Sequence, residues 1–335
     1  MAARLPGEKS LSSNRRNFVQ LGRLMTIACF LTALPLSAHA QLAGLPGSPF
    51  RMGFGARGIA MGNAMSAVSD GEVGTYYNPA LLPFVSQRVG SLSAGILTLD
   101  RSMNTLNFST ALPPQAGFGA GIINTGVSNI DGRDNDGQPT GALRTAEDLV
   151  FLGFGLRFPA GFSLGVNLKL YYAHLYTDIS STTVGADIGF FYRVSSQVSV
   201  AATVKDISSK YRWDTSTLYG EQGRTSTDAF PRLYTIGAAY ALPSNAGVVS
   251  AEVEASNQSS LTLRAGGEYY LLEEFAIRAG VDRIDLKDSG TGIRPAIGFM
   301  VRRDFNAWTP ALQYTFVLEP FTQAGIHLIS LSAMF

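Results

Sequence analysis

The stretch FSLGVNLKLYY, Phe162 to Tyr172, decides the fold. Phe162, Leu164, Val166, Leu168, Leu170 and Tyr172 alternate with Ser163, Gly165, Asn167, Lys169 and Tyr171. Successive side chains on a β-strand face opposite sides, so this segment has one greasy face and one polar face. The same pattern runs through Val184–Val194 and Leu261–Leu271. A soluble β-sandwich would show this alternation too, with its apolar faces turned inward. Two features favour a membrane barrel instead: an export signal at the start, and segments of the 9–11 or so residues that cross hydrocarbon when tilted. No stretch beyond the leader is long and apolar enough to span as a helix, and in lipid only helices or closed barrels satisfy the backbone.

Working outward from this strand gives about 14 segments, roughly 89–99, 104–112, 117–130, 148–158, 162–176, 182–194, 198–207, 230–242, 247–256, 261–271, 275–284, 292–303, 307–318 and 325–335. Connections after even segments are tight, among them Pro113-Pro114-Gln115-Ala116 and Pro159-Ala160-Gly161. Those after odd segments vary and include the long stretches 131–147 and 208–229, expected as loops. Outer-membrane barrels combine an even strand number with short periplasmic turns and longer outer loops. The fold class expected is all-β: a transmembrane antiparallel β-barrel of about 14 strands with an N-terminal plug. Its domains would be a cleaved signal peptide over 1–40, a hatch or plug over 41–88 and the barrel over 89–335.

The chain ends supply the export argument. Arg15, Arg16 and Arg23 precede an apolar run from Leu24 to Leu36, and Ser37-Ala38-His39-Ala40 offers a small-residue cleavage site. That order of charge, apolar core and small residues reads as a secretory signal. Cleavage there would remove the single cysteine, Cys29, and leave 21 basic against 24 acidic residues. The mature chain would then have no disulfide and no basic excess for nucleic acid. At the other end Ile329, Leu331, Ala333 and Phe335 fall on alternate positions. A terminal phenylalanine closing a period-2 strand resembles the assembly signal of bacterial outer-membrane barrels, with Ile329, Leu331 and Phe335 its residues.

The segment GFGARGIAMG, Gly53 to Gly62, looks like a cofactor site. Gly53, Gly55 and Gly58 satisfy G-x-G-x-x-G, and Asp70 and Glu72 stand near the distance of a ribose-binding acid. The fingerprint works only between a strand and a helix of a βαβ unit, where backbone amides meet the pyrophosphate. Leu45-Pro46-Gly47-Ser48-Pro49 breaks any such strand, and no cofactor is expected. Gly53, Gly55, Gly58 and Gly62 instead allow tight folding, and Asn78-Pro79 is a turn signal.

Gly55-Ala56-Arg57-Gly58-Ile59-Ala60-Met61-Gly62, continuing through Ala67-Val68-Ser69-Asp70 to Tyr76-Tyr77-Asn78-Pro79-Ala80, resembles the N-terminal signature of the PorV/PorQ family. That family is related to the FadL fatty-acid transporters. Tyr234–Tyr240, Arg264–Tyr270, Ile277–Gly280 and His327–Ser332 also resemble it, and Asn63 and Ser66 depart from it. The resemblance implies a fourteen-stranded barrel in the bacterial outer membrane, with Gly55, Arg57, Gly62, Asn78, Pro79 and Ala80 as the hatch motif. It implies a protein-binding component of type IX-like secretion or surface attachment, with secreted cargo proteins as partners beside outer-membrane lipids and the barrel assembly machinery. The alternative is a FadL-like channel for hydrophobic small molecules such as long-chain fatty acids.

No catalytic constellation is apparent, and no enzyme is expected. No G-x-S-x-G elbow occurs, and His174 and His327 lie far apart in sequence. Asp131, Asp134 and Asp136 with Gly137 match part of a calcium loop, but its first position would be Gly132 and its twelfth Leu143. A solvated loop is expected, and no metal. The polar strand faces carry Lys169, Asp187, Arg193, Lys205, Glu252, Glu254, Arg264, Glu268, Arg278, Asp282 and Arg294. If the apolar faces meet lipid, these point into the lumen, where Arg264, Glu268, Arg278 and Asp282 on neighbouring strands form a charge network. A pocket lined by aromatics such as Phe151, Tyr171, Phe191 or Tyr270 would suit the transporter alternative.

Overall fold

In a computed structural model, residues 44–69, 72, 74–176, 178–287, 292–320 and 325–335 are described. The expected signal peptide lies outside them, as does Asp70. The strands are β1 (Val89–Ile96), β2 (Arg101–Leu112), β3 (Ala116–Arg133), β4 (Pro139–Arg157), β5 (Phe162–Tyr176), β6 (Ile179–Arg193), β7 (Val198–Ile207), β8 (Lys210–Asp214), β9 (Thr225–Ala229), β10 (Leu233–Ala241), β11 (Gly247–Ser256), β12 (Leu261–Leu272), β13 (Phe275–Asp285), β14 (Arg294–Arg302), β15 (Thr309–Val317) and β16 (Ile326–Met334). Fourteen of them close into an antiparallel barrel in which each strand pairs with its neighbour in sequence, β7 passing directly to β10. β1 seals the ring against β16, from Val89 opposite Met334 to Ile96 opposite His327. The remaining pair, β8 and β9, forms a separate ribbon.

The wall is inside out relative to a soluble protein. On β5, Leu168 is 65% exposed and its neighbour Asn167 fully buried. The outward row from Phe162 to Tyr172 extends about 33 Å along the strand, or about 25 Å along an axis tilted near 40°, matching the apolar band of outer-membrane barrels. An apolar surface of that size facing water would be an association site; facing lipid it is the favourable arrangement. Among the described residues no helix is long and apolar enough to cross a membrane. The crossing is made by strands.

The lumen is filled by residues 44–88. A 3-10 turn (Pro49–Arg51), a helix (Gly55–Ala60), a single helical turn (Gly74–Tyr77) and a 3-10 helix (Pro79–Phe84) follow one another. Asn78 opens the last: its side-chain oxygen accepts the Ala80 N–H at 3.0 Å, while its amide donates to the Ser66 and Phe190 carbonyls. Proline follows at the first helical position, where its missing N–H costs nothing. The Tyr77 hydroxyl accepts from the Phe54 N–H at 3.0 Å and donates to Asn63 Oδ1 at 2.7 Å, joining the two halves of the plug.

Short polar side chains on the inward wall satisfy this irregular backbone, which has no water to turn to. Ser163, Ser199, Ser250 and Thr315 donate to the carbonyls of Ala80, Ala67, Ala64 and Ala56 at 2.6–2.8 Å. Ser330 Oγ accepts the Ala56 N–H at 2.9 Å. Where no hydrogen bond is made, glycine lets the plug touch the wall itself. A Cβ added to Gly117, Gly155 or Gly165 would overlap backbone of the Pro79–Phe84 helix, and one added to Gly266 or Gly280 would overlap the Met61-Gly62 turn. Gly62 needs its glycine twice over: φ is +59°, and the backbone of Ala265 and Val281 lies 2.6 Å from where a Cβ would stand.

Two expected loops are regular structure. Residues 131–147 mostly continue β3 and β4 as a ribbon beyond the wall, closed where Asp134 Oδ1 accepts the N–H groups of Asp136 and Gln138. Residues 208–229 contain the β8–β9 ribbon. β9 is exposed on both faces and the projecting part of β3–β4 mostly so, which leaves no long alternation like that of the wall strands, while β8 turns only Tyr211 and Trp213 toward the core. The aspartates of the first stretch do not converge: Asp131 pairs with Arg133 at 2.6 Å and Asp134 is spent on the turn.

Gly280→Val is expected to leave the wall intact, since the outward face is unchanged, but to expel the Met61-Gly62 turn. The barrel should keep its heat-dependent electrophoretic shift while residues 44–88 become protease-sensitive; protection equal to the parent would contradict this contact.

Candidate functional site

Two structures on the plug axis bear on function: a charge lattice in the lumen and a cleft of mixed lining at the end away from Phe335. The lattice centres on Glu268 of β12. Its carboxylate takes Arg57 Nε at 2.9 Å and Nη2 at 2.8 Å from the plug, and Arg278 Nε at 2.5 Å from β13. Arg57 also reaches Glu72 at 3.3 Å. Gln313 closes the ring, accepting from Arg278 at 2.6 Å and donating to Glu72 at 2.7 Å. One level away, Arg264 is held by Glu254 at 2.7 Å and by Asp282 at 2.8 Å, and Asn63 of the plug donates to Asp282 at 3.0 Å. A β-bulge on β13 follows here, with Arg283 at φ 61°.

A second bulge adds a residue that alternation hides. Counting by twos along β7 turns Lys205 inward and Asp206 outward, yet Asp206 has φ 60° and is buried in the lumen. Lys169 lies between Asp187 at 2.8 Å and Asp206 at 2.9 Å, with the Tyr171 hydroxyl also on Asp206. Lys205 takes a different environment, over the rings of Tyr76 at 4.9 Å and Tyr77 at 5.5 Å. Arg193 lies at the opposite mouth, where it and Arg157 approach the Phe84 ring at 5.0 and 5.2 Å.

The aromatic residues expected in a lumen pocket divide. Phe151 and Phe191 pack on plug rings, Phe151 on Phe54 and Phe191 on Phe84. Tyr270 sits apart, beside Ala276, Met300 and Ala311. Tyr171 lines a small cavity of about 30 Å³. The plug occupies the volume these side chains would otherwise surround.

The roomy space is at the far end. A cleft of about 660 Å³ lies between the β8–β9 ribbon and the start of the plug, lined among others by Leu45, Pro46, Ala173, Leu175, Tyr211 and Trp213. Tyr211 donates to Glu147 at 2.9 Å and Arg212 N–H to the Ser181 hydroxyl at 2.9 Å, which dock the ribbon on the rim, while Trp213 Nε1 donates to Asp228 at 2.8 Å within the ribbon. Burial and the Glu147 carboxylate hold the Tyr211 phenol far above its ordinary range, so it stays a donor. At the ribbon tip the Ser216 hydroxyl and N–H hold the Asp214 carboxyl below its usual range. Rings descend from the cleft in contact: Trp213 on Tyr211 at 5.2 Å, Tyr211 on Phe230 at 4.8 Å, Phe230 on Tyr171 at 4.8 Å and Tyr171 on Phe50 at 5.5 Å. Arg51, donating to the Pro46 carbonyl at 2.7 Å and the Leu45 carbonyl at 3.1 Å, braces the floor. A second chamber of about 280 Å³ adjoins it, sharing Ser48, Thr145 and Glu147.

The remaining expected residues are placed as follows. Gly55 begins the first plug helix, and Asn78, Pro79 and Ala80 begin the last. Ile329, Leu331 and Phe335 are exposed on the outward side of β16. Among the described residues no three histidine, cysteine, aspartate or glutamate side chains come together as a metal site. Asp206 and Gln313 were not singled out by sequence, and Glu72 was noted only as an acid at the distance of a ribose-binding residue, not as a member of the lattice. Glu72 and Gln313 sit beside partners distant in the chain, which a single sequence does not reveal.

Glu268→Gln leaves two buried guanidiniums facing each other and is expected to cost about 3–5 kcal/mol in guanidinium titration of the folded barrel. Arg57→Met, which leaves Glu268 paired with Arg278, should cost less; the reverse order would contradict the central role of Glu268.

No family model and no curated protein matches the chain. Solved structures do. The toluene transporter TodX of Pseudomonas putida superposes with a TM-score of 0.58 at 14% identity, over 84% of this chain and 96% of that one. The toluene transporter TbuX of Ralstonia pickettii gives 0.57 at 14% identity, covering 84% and 97%. A FadL homologue of Pseudomonas aeruginosa gives 0.56 at 12% identity, covering 84% and 98%. At such identities the likeness is one of fold: this chain is a FadL-like fourteen-stranded barrel, and nothing in the comparison singles out the PorV/PorQ branch.

Proposed function

We propose that the protein is a non-enzymatic channel of the bacterial outer membrane that takes up a hydrophobic small molecule from outside. The observation that carries this is the cleft of about 660 Å³, whose mixed apolar and polar lining includes Tyr211 and Trp213, from which touching rings continue onto the plug. The turns opposite the cleft are short and lie beside Phe335, as on the periplasmic side of such barrels. This supports a reading in which the β8–β9 ribbon faces outside the cell. Among the described residues the plug fills the lumen and most of the lumen's charges are paired, which speaks against a wide aqueous path, while the cleft joins apolar and aromatic side chains to placed polar groups of the kind that orient a small molecule. The fold shared with the toluene transporters supports the same reading.

A second reading, the secretion component that the N-terminal signature suggests, is favoured by the two ribbons, β3–β4 and β8–β9, which stand beyond the wall with polar side chains free for a protein. Gentle extraction from the native membrane followed by native mass spectrometry separates the two: exported proteins on the barrel favour secretion, and a bound apolar molecule favours uptake.

The chain has two tryptophans, Trp213 in the cleft and Trp308 in a turn at the opposite end. Titration with a monoaromatic solute such as benzyl alcohol should change the fluorescence of the parent and of Trp308→Phe, and leave that of Trp213→Phe unchanged. A saturable response that survives in Trp213→Phe would contradict binding in the cleft.

A further inference from the structure

The smaller far-end chamber differs in chemistry from the aromatic cleft. Arg101 of β2, Arg283 of β13 and Arg294 of β14 all line it, among Leu97, Met52 and Val127. Three guanidiniums border this space of about 280 Å³, each with a carboxylate within reach. Glu147 is the acidic side chain in its lining, and that carboxylate already accepts from Tyr211. Asp282 lies 3.7 Å from Arg283 but is held by Arg264 and Asn63.

The carboxylate that serves the other two arginines comes from the β15–β16 connection. Glu319 Oε2 takes Arg101 Nη2 at 3.0 Å and the Thr98 hydroxyl at 3.0 Å, and Glu319 Oε1 takes Arg294 Nη2 at 3.0 Å. Arg101 also donates to the Thr98 carbonyl at 2.9 Å, so its guanidinium is fixed before any ligand arrives. One carboxylate thus bridges two cations and a hydroxyl, while itself standing outside the chamber that both cations line. Charge-assisted pairs of this kind are the strong ones. An arriving carboxylate, sulfonate or phosphate would find the same donors from the chamber side.

We propose that Arg101, Arg294 and Thr98 form an anion seat filled by the chain's own Glu319, and that an anionic group on a solute in the chamber competes with Glu319 for the two arginines. Glu319 is then a resident competitor. It lets neutral apolar molecules use the cleft while holding back anionic ones until they displace it. The inference rests on the uptake reading only in taking the far end as the side from which a solute arrives.

Removing a competitor raises apparent affinity by the factor through which it had reduced the competent fraction. Calorimetric titration of the full chain in detergent would use benzenesulfonate as the anionic probe and benzyl alcohol as its neutral counterpart. Glu319→Gln should bind benzenesulfonate about tenfold more tightly than the parent, with benzyl alcohol unchanged, and Arg294→Met on that background should remove the gain. Each variant is first shown to be folded by its heat-dependent electrophoretic shift; Glu319→Ala serves if the glutamine variant is not. Unchanged or weakened benzenesulfonate binding would overturn the proposal, since Glu319 would then merely position the arginines. Equal tightening of both probes would overturn it too, as a general opening of the chamber. Benzyl alcohol binding without any benzenesulfonate binding would overturn the anion seat and leave the uptake reading standing.

Discussion

The Glu268 carboxylate is the point on which the interior depends. It joins the plug, through both nitrogens of an Arg57 fork, to the wall, through Arg278 on the next strand. A buried carboxylate costs several kcal/mol to desolvate unless its lone pairs are filled, and here two guanidiniums fill them. The geometry works in both directions. Glu268 needs Arg57 to be neutralised, and Arg57 needs the plug helix to be seated before it can reach Glu268. Register and plug position are therefore specified together, and the glycine contacts at Gly266 and Gly280 add a steric condition to the electrostatic one.

The rest of the lumen extends this logic. Inward serine, threonine and asparagine side chains face the plug backbone rather than water, and inward glycines stand where no side chain fits. A barrel built for ions would keep its inward polar groups free to solvate a passing charge. This one spends them on its own chain, and its open volume lies at the far end, where rings from the ribbon, the wall and the plug meet. Transport through such a molecule requires either local movement of the floor formed by Phe50 and Arg51 or a route that bypasses the sealed interior.

The wall strands were legible in the sequence because lipid on one side and plug on the other impose a strict period of two. The pairs Arg264–Asp282 and Arg278–Glu268 join neighbouring strands, so a reading by register brings them near one another. Three kinds of feature were not legible. β9 and the projecting part of β3–β4 lack the alternation of the wall, and β8 has only the short alternation of Tyr211 and Trp213. Asp206 is turned inward by a bulge that shifts the count by one. Arg57 with Glu268, and Glu72 with Gln313, are partners across more than two hundred residues, and spacing says nothing of them. The same limit hid the cleft, whose lining comes from the plug, β4, β5 and the ribbon.

Photolabelling tests the central claim most directly. The purified barrel would be irradiated with a diazirine-bearing monoaromatic, with and without an excess of unlabelled solute, and the labelled peptides mapped. The account predicts label that the excess removes, within Leu45–Phe50 and Tyr211–Trp213. Label confined to the outward strand faces, indifferent to competition, would mean that the solute dissolves in the surrounding detergent and that the cleft is not a site.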